Sequence, residues 1–328
     1  MPKPNLKYFC ASDFPRYRAD MLHLLDRCAD GLPVSAYDTY YQGNPLGPPL
    51  LGLCFDGEKL VGQENYVRQD LAVASTRYSG ALGLNTLVDP SYRVFHGVFA
   101  RLVEMTIEEL RPRVDVLFAY ANEASKKYYL KYFNWKVASP IRAYKKALRL
   151  SGWKKESLLA LLRPGKTHSD VRLQETSQFE ARVLDPVLAQ HLVNSQEAYF
   201  HKTTDFLNWK FLYNKRYRTA GYYIFFHGSV KGYCITYDDG NICKVLDVLV
   251  DDNGEYVFSK TVSTLAYLTK KRGLSQLMIY ATPDCWYRKL LHKHFFFPRW
   301  EFEFIFLDFS EQISNANWVV HIGDFDVF

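Results

Sequence analysis

The sequence predicts an α/β fold, with a mixed sheet in an α+β layered arrangement, built from one structural unit that is used twice. Two stretches about 160 residues apart read alike, each passing from a Leu-Val-Asp tripeptide through a helical segment into a short apolar strand. A strand–turn–strand pattern precedes each stretch, so the order hairpin, strand, helix, strand, helix occurs twice. The tripeptides are Leu87-Val88-Asp89 and Leu249-Val250-Asp251, and the apolar strands end near Ala121 and Ala281.

Composition limits the class of protein. A length of 328 residues suggests about two domains, which we place at 1–150 and 151–328 around a polar, turn-rich boundary. No apolar run is long enough to cross a bilayer and no signal peptide is recognisable, so we expect a cytoplasmic protein without a membrane span. The six scattered cysteines predict reduced thiols and no metal site. A net charge of +6 is too dispersed to predict nucleic-acid binding.

The elements of the first unit follow from local signals. Asp13 is expected to cap a helix over 13–30, and a loop rich in Gly and Pro follows over 31–49. Asp56-Gly57 is expected to join the first two strands as a hairpin. The predicted strands are 50–55, 59–70, 78–88, 114–120 and 135–148, and the further helices are 98–110 and 123–133.

The second unit repeats this order with different chemistry. Its predicted strands are 220–226, 231–237, 242–250, 276–281 and 300–307, and its predicted helices are 185–198, 256–271 and 285–294. The turn into its central helix carries Asp251, Asp252 and Glu255, and negative charge there opposes phosphate binding. The sequence therefore predicts a phosphate site in the first copy alone.

A candidate phosphate site lies where the strand ending at Val88 turns into the helix at 98–110. The unpaired N–H groups and the dipole of a helix N-terminus favour an anion. Arg93 and His96 could add side-chain donors, and Gly97 lies near the helix start. The alternative interpretation is an ordinary strand-to-helix connection.

Two segments resemble the GCN5-related N-acetyltransferases. Phe118 to Trp135 resembles that family's strand–Asn–helix–Tyr pattern, and Asp89-Pro90-Ser91-Tyr92-Arg93 followed by Gly97 resembles its coenzyme A pyrophosphate loop. The loop is one residue longer than usual, and Asn134-Trp135 replaces the usual Gly-Phe. The resemblance extends over nearly the whole chain, and it implies two tandem acetyltransferase-like units.

The resemblance implies an acyl-CoA site in the first unit, with acetyl-CoA or another acyl-CoA as the acyl donor. Residues 84–88 would line the pantetheine arm, and residues 94–98 would bind the pyrophosphate through N–H groups. A tyrosine of the helix at 123–133 would protonate the leaving thiolate, with Tyr129, Tyr128 and Tyr132 as candidates. The expected cofactor-binding residues are Leu87, Val88, Arg93, Val94, Phe95, His96, Gly97, Val98 and Asn122.

A general base must take the proton from an attacking amine, directly or through a water. Glu64, on the predicted strand 59–70, is the first candidate for this base, and Asp89 is the second. Each could instead be an ordinary surface or structural carboxylate.

Parts of the second unit and the tail at 317–326 resemble two-domain acetyltransferase-like proteins found with bacterial surface-polysaccharide genes. That resemblance implies an N-acetyltransferase acting on a small amine, with nucleotide-linked amino sugars as candidates. The acceptor is expected between the units, near Asp324 and Asp326 of the tail. The alternatives are a Fem-type aminoacyl transferase and a non-catalytic binding protein of the same fold. The oligomeric state cannot be inferred from the sequence.

Overall fold

The computed structural model describes residues 5–28, 34–93, 97–149, 167–214, 218–251, 254–313 and 316–325. Helices pack on a mixed sheet of 12 strands, which confirms the predicted α/β class. The strands are β1 (Leu6–Ala11), β2 (Leu50–Asp56), β3 (Lys59–Arg68), β4 (Leu71–Val73), β5 (Thr76–Tyr78), β6 (Gly80–Val88), β7 (Val116–Ala119), β8 (Lys136–Ala147), β9 (Val171–Thr176), β10 (Ala198–Phe200), β11 (Thr219–Phe226), β12 (Ser229–Asp239), β13 (Ile242–Val250), β14 (Gln276–Ala281) and β15 (Phe297–Asp308). The helices are α1 (Phe14–Cys28), α2 (Val34–Tyr41), α3 (Gly97–Leu110), α4 (Glu123–Tyr132), α5 (Ala181–Asn194), α6 (Thr204–Leu207), α7 (Gly254–Lys271) and α8 (Arg288–Lys293).

Local sequence signals set several of these boundaries. Asp13 Oδ1 accepts a hydrogen bond from the backbone N–H of Arg16 over 3.3 Å where α1 begins, as predicted. Gly57 has a φ of +59° in the turn between β2 and β3, a conformation that favours glycine. Asn134 has a φ of +57° just after α4, which agrees with the tolerance of Asn for left-handed backbone at a helix end.

Several predicted boundaries were wrong. The predicted loop at 31–49 contains α2, which buries Tyr40 and Tyr41 in the core. The predicted helix at 185–198 begins earlier and ends at Asn194. Ala198 instead begins β10, because it pairs with Val73 of the distant strand β4. Pairing with a remote strand overrides local propensity here.

The central sheet joins both halves of the chain. Its order is β1-β2-β3-β6-β7-β15-β8-β14-β13-β12-β11-β9. β15 from the second half pairs antiparallel with β7 of the first, and β8 from the first half pairs antiparallel with β14 of the second. β15 and β8 also pair with each other, so each half completes the other's part of the sheet.

The core continues across the same junction. β10 of the second half joins β4 and β5 in a second, three-stranded sheet. The Phe118 and Phe200 rings meet edge-on with their centroids 4.8 Å apart. Gln69 Nε2 donates to the backbone carbonyl of Asp324 over 3.0 Å, which ties the C-terminal segment to the end of β3. These contacts fix the position of the first copy's strands against the second copy's.

Candidate active site

The parallel strands β6 and β7 part in the middle of β6. They pair only from Gly80 with Val116 to Gly83 with Ala119. β6 then continues to Val88 while its other edge stays paired with β3. In the described part of the sheet, the peptide groups of residues 84–88 that point away from β3 have no strand partner. A ligand that carries amide groups could pair with them.

A β-bulge lies at the same place on β6. The register between β3 and β6 shifts between Gln63 and Asn65, and Asn85 has a φ of +53°. A bulge bends the strand and re-aims the side chains beside it. Gln63 Nε2 donates to the Asn85 carbonyl over 3.0 Å, which holds the bulge in place. The Thr86 hydroxyl lies 3.4 Å from the Tyr129 hydroxyl, so the bulge is close to α4.

Glu64, Tyr66 and Tyr129 form a buried hydrogen-bonded cluster at this opening. The Tyr66 and Tyr129 hydroxyls donate to Glu64 Oε1 over 2.6 and 3.2 Å. Glu64 Oε2 is buried and has no hydrogen-bond partner among the described residues. Burial raises the pKa of Glu64 to about 7, although the two phenol hydrogen bonds act in the opposite direction. A carboxyl group with this pKa can take up and release a proton near neutral pH.

Of the candidate tyrosines, Tyr129 is the one that contacts Glu64. It is 3% exposed, and its ring packs edge-on against Phe99 and Trp135 with centroids 5.6 and 5.0 Å away. Burial and the nearby Glu64 charge raise the pKa of Tyr129 well above its usual value, so the phenol keeps its proton. Tyr128 is 50% exposed, and its ring contacts Phe99 and the exposed Tyr132 instead.

The sequence prediction missed Tyr66. Residues two apart on a strand point to the same face of the sheet, so the spacing Glu64-x-Tyr66 already placed the phenol beside the carboxylate. The sequence does not show which face of β3 is buried against α3 and α4.

The turn after β6 is anchored by Asp89. Its Oδ1 accepts from the backbone N–H of Ser91 over 3.0 Å and caps a 3-10 turn over Pro90–Tyr92. Its Oδ2 lies 2.8 Å from Arg27 Nε and 3.0 Å from Lys59 Nζ. Burial alone would raise the pKa of Asp89, but hydrogen bonds from Ser91, Lys59 and Arg27 hold it well below its usual value. These contacts suit Asp89 to anchoring the turn better than to accepting a proton.

α3 begins at Gly97, and the described residues leave space beside that position. A Cβ atom added at Gly97 would meet no atom of the described residues within 4 Å. The first turn of α3 carries no acidic side chain, so its N–H groups and dipole favour an anion. Arg93 is exposed beside it, and its Nε donates to the Val88 carbonyl over 3.0 Å. The predicted pyrophosphate ligands that lie outside the described residues are Val94, Phe95 and His96.

The other predicted cofactor-binding residues lie in three kinds of place. Leu87 and Val88 belong to the part of β6 beyond its pairing with β7. The side chain of Val98 is 1% exposed in the core, so a ligand could reach only its backbone. Asn122 Oδ1 accepts two backbone N–H groups of the first turn of α4, which makes it the N-cap of that helix.

The second copy has a similar opening, but its helix N-terminus is covered. β13 pairs in parallel with β14 over its first four residues and then continues to Val250. A Cβ atom added at Gly254, the first residue of α7, would lie 3.0 Å from the Trp286 ring. Asp251, which follows β13, is paired with Lys231 Nζ at 3.2 Å, and Asp252 lies outside the described residues. An indole ring thus lies beside Gly254, whereas no atom of the described residues comes within 4 Å of a Cβ at Gly97 in the first copy.

Two other kinds of feature are not found in the part of the chain that the structure describes. No group of three or more His, Cys, Asp or Glu side chains there could hold a metal ion. No helix there has the length and apolar character needed to span a membrane. All six cysteines are free thiols.

Comparison with known proteins bears on the fold. No protein-family model and no curated protein sequence matches this chain. A GCN5-related N-acetyltransferase from Anabaena variabilis ATCC 29413 superposes with a TM-score of 0.69 at 11% identity, covering 93% of this chain and 74% of that one. A conserved protein from Enterococcus faecalis V583, described as a probable N-acyltransferase, gives 0.70 at 11% identity, covering 94% and 74%. Saccharomyces cerevisiae N-myristoyltransferase with bound myristoyl-CoA gives 0.61 at 11% identity, covering 94% and 81%.

Over nearly its whole length, the chain therefore has the fold seen in GCN5-related N-acetyltransferases. The fold alone does not fix a reaction, so the function has to be argued from the site.

Proposed function

We propose that the chain is an acyl-CoA-dependent N-acyltransferase, with acetyl-CoA or another acyl-CoA as donor and a small amine as acceptor. The observation that carries the proposal is the Glu64–Tyr129 pair at the opening between β6 and β7. The peptide groups of β6 that have no strand partner suit the amide groups of a pantetheine arm. The N-terminus of α3, where the described residues leave space at Gly97 and Arg93 is exposed, suits a pyrophosphate. The fold of the acyltransferases described above supports the same reading.

In this proposal the acceptor amine attacks the thioester carbonyl, so that a C–N bond forms and the C–S bond breaks. Glu64 takes the proton from the amine, directly or through a water. Tyr129 gives its phenol proton to the leaving thiolate. The hydrogen bond between the two groups then lets Glu64 return a proton to Tyr129, which restores both. Backbone N–H groups near the bulge at Asn85 would hold the developing oxyanion.

We propose that the two copies have different roles in the reaction. Residues 1–150 would bind the donor, because no atom of the described residues crowds Gly97 at the N-terminus of α3. Residues 151–328 would form the acceptor side and support the sheet, because Trp286 covers the N-terminus of α7. Amino sugars, including nucleotide-linked ones, are the first acceptor class to test. The free thiols and the need for acyl-CoA favour a cytoplasmic location.

The test is acyl transfer from acetyl-, butyryl- or myristoyl-CoA to a panel of amines and amino sugars. The free thiol of the released coenzyme A is the readout. We expect saturable turnover with at least one donor, and a loss of about 100-fold or more in Glu64→Gln. Glu108→Gln, an exposed carboxylate of α3, is the matched control and should keep full activity. If calorimetry detects no binding of any of the three acyl-CoA donors, the proposal is wrong.

A further inference from the structure

Tyr66 lies at the closed end of the opening between β6 and β7. It pairs with Gly83 of β6, and Gly83 is the last residue of β6 that pairs with β7. A Cβ atom added at Gly83 would lie 3.2 Å from Tyr66 Cε1, so the ring lies against that glycine. The Tyr66 side chain is buried in the core. The fold therefore holds this phenol at the point where the two parallel strands part.

Glu64 lies two residues before Tyr66, at the register shift between β3 and β6. Side chains two residues apart on a strand project from the same face, so the carboxylate and the phenol share one face of β3. The Tyr66 hydroxyl donates to Glu64 Oε1 over 2.6 Å, and both side chains are buried. Tyr129 of α4 donates to the same oxygen over 3.2 Å. The shorter of the two bonds thus comes from the phenol at the closed end.

The two phenols differ in what they meet besides Glu64. The Tyr129 hydroxyl lies 3.4 Å from the hydroxyl of Thr86, which belongs to the part of β6 beyond its pairing with β7. Tyr66 instead lies against Gly83, inside the paired part. Burial and the Glu64 charge raise the pKa of Tyr66 well above its usual value, so this phenol keeps its proton. Tyr66 is therefore placed to hold the carboxylate, and Tyr129 is placed nearer to a ligand along residues 84–88.

The titratable groups that face Glu64 come from three elements. Tyr66 of β3 and Tyr129 of α4 bond to its carboxylate. Burial and the charges of Glu109 and Glu64 raise the pKa of the Cys10 thiol of β1 to about 11, so this thiol is neutral. Among the described residues, no basic side chain pairs with Glu64. The two phenol hydrogen bonds are thus the contacts that favour the ionised form of Glu64 against the effect of burial.

We propose that Tyr66 is a positioning residue for the acyl transfer, and that its hydrogen bond keeps Glu64 oriented and ionised as the base. This inference rests on the function proposed above. A length of 2.6 Å is typical of a hydroxyl that donates to a charged oxygen. With both phenols on Oε1, Oε2 is the oxygen without a donor among the described residues, and the proton of the amine would go to it. Tyr66 keeps its own proton throughout.

The first test is the pH dependence of kcat in Tyr66→Phe, measured with a donor and an amine that the wild type turns over. The loss of a charge-assisted hydrogen bond favours the protonated form of Glu64. We therefore expect the acid limb of the profile to move upward by about one pH unit. kcat should fall about tenfold at pH 6 and return to within about threefold of the wild type at pH 9. Tyr129→Phe lacks the proposed proton donor and should stay slow at every pH.

Tyr233→Phe is the matched control. The Tyr233 hydroxyl is also buried and also donates to a carboxylate, Asp247 Oδ2, over 3.2 Å, but it lies in the second copy. This variant loses the same kind of hydrogen bond as Tyr66→Phe. It should leave the acid limb at the pH where the wild type has it.

Urea unfolding tests the same contact without acyl transfer. Because the folded pKa of Glu64 lies above its unfolded value, its contribution to the free energy of unfolding falls as pH rises to the folded pKa. Between pH 7 and pH 9, the free energy of unfolding should therefore fall further in Tyr66→Phe than in the wild type. In a Glu64→Gln background, Tyr66→Phe should add no pH dependence in this range, because the carboxyl group is absent.

Gly83→Ala covers the case in which Tyr66→Phe does not fold. Its added Cβ displaces the Tyr66 ring and leaves the hydroxyl in place, so both readouts should shift in the same direction by a smaller amount. The proposal is overturned if kcat falls equally at every pH, or if the unfolding titration of the variant that folds matches that of the wild type. A wild type without turnover removes the proposed function instead, and the unfolding titration then still decides whether Tyr66 controls the ionisation of Glu64.

Discussion

The Tyr129 hydroxyl donates a hydrogen bond to Glu64 Oε1 over 3.2 Å, although 65 residues separate the two in the chain. β3 carries the carboxylate to the opening between the parted strands, and α4 brings the phenol to it. Tyr66 donates to the same oxygen over 2.6 Å, and the other carboxylate oxygen is buried without a hydrogen-bond partner among the described residues. The pair joins a carboxyl group that titrates near neutrality to a phenol that keeps its proton.

Replacing Tyr129 tests the phenol's part in acyl transfer. Tyr129→Phe keeps the ring packing against Phe99 and Trp135 but removes the proton donor for the thiolate. We expect kcat to fall about 100- to 10,000-fold, with little change in the KM for acyl-CoA. Tyr128→Phe changes an exposed ring on the same helix and should alter kcat less than threefold. Equal losses in both variants would remove Tyr129 from the mechanism.

Glu64 should make stability depend on pH. Its folded pKa of about 7 lies above the ordinary 4.5, so between these values the folded state binds more protons than the unfolded state. The free energy of unfolding contributed by this group therefore falls as pH rises from 4.5 to 7, by up to about 3 kcal/mol. Glu64→Gln has no carboxyl group at this position, so its free energy of unfolding does not fall in this way. The free energy of unfolding of the variant minus that of the wild type should therefore increase from pH 4.5 to pH 8.

Urea unfolding of the two proteins at both pH values measures this change. Glu108→Gln should follow the wild type at each pH, because that carboxylate is exposed. If the difference between wild type and Glu64→Gln is the same at both pH values, the carboxyl group does not have a raised pKa.

Local patterns predicted the strands and helices that build the candidate site, together with the cap at Asp13. They named Glu64 and Tyr129 separately, on their chemistry. The sequence could not show that the two meet, because contact depends on which face of β3 packs against α4. The sequence also could not show that β8 pairs with β14 and that β15 pairs with β7. The alternation of apolar residues along a strand does not depend on which strand lies next to it.

Gly97 tests the proposed pyrophosphate site. Gly97→Glu places a negative charge at the N-terminus of α3, where the helix dipole favours an anion and where a Cβ atom would meet no atom of the described residues within 4 Å. The fold should remain as stable as the wild type, while the Kd for acyl-CoA rises at least tenfold through charge repulsion. Gly97→Ala is the matched control and should change Kd less than threefold. Calorimetry with acyl-CoA and a thermal melt measure the two effects, and unchanged affinity in Gly97→Glu would place the pyrophosphate elsewhere.

Lys202 should be a large determinant of stability in the second copy. It is the cation shared by Asp247 and Asp324, and their charges raise its pKa although burial acts in the opposite direction. Lys202→Met leaves two buried carboxylates without a cation, which should cost about 3 to 5 kcal/mol of unfolding free energy. Lys244→Met breaks a pair with the exposed Asp239 and should cost less than about 1 kcal/mol, because water screens that carboxylate.

The loss in Lys202→Met should depend on pH in a definite direction. Without Lys202, burial raises the pKa of Asp247 above its unfolded value, so the folded state gains a proton there as pH falls. The deficit against the wild type should therefore be larger at pH 7.5 than at pH 4.5 in urea unfolding. Adding Asp247→Asn to Lys202→Met removes one of the uncompensated charges, and it should restore part of the stability at pH 7.5. A deficit that is the same at both pH values, or that the second substitution deepens, would mean that Lys202 stabilises the fold through the packing of its carbon chain rather than through its charge.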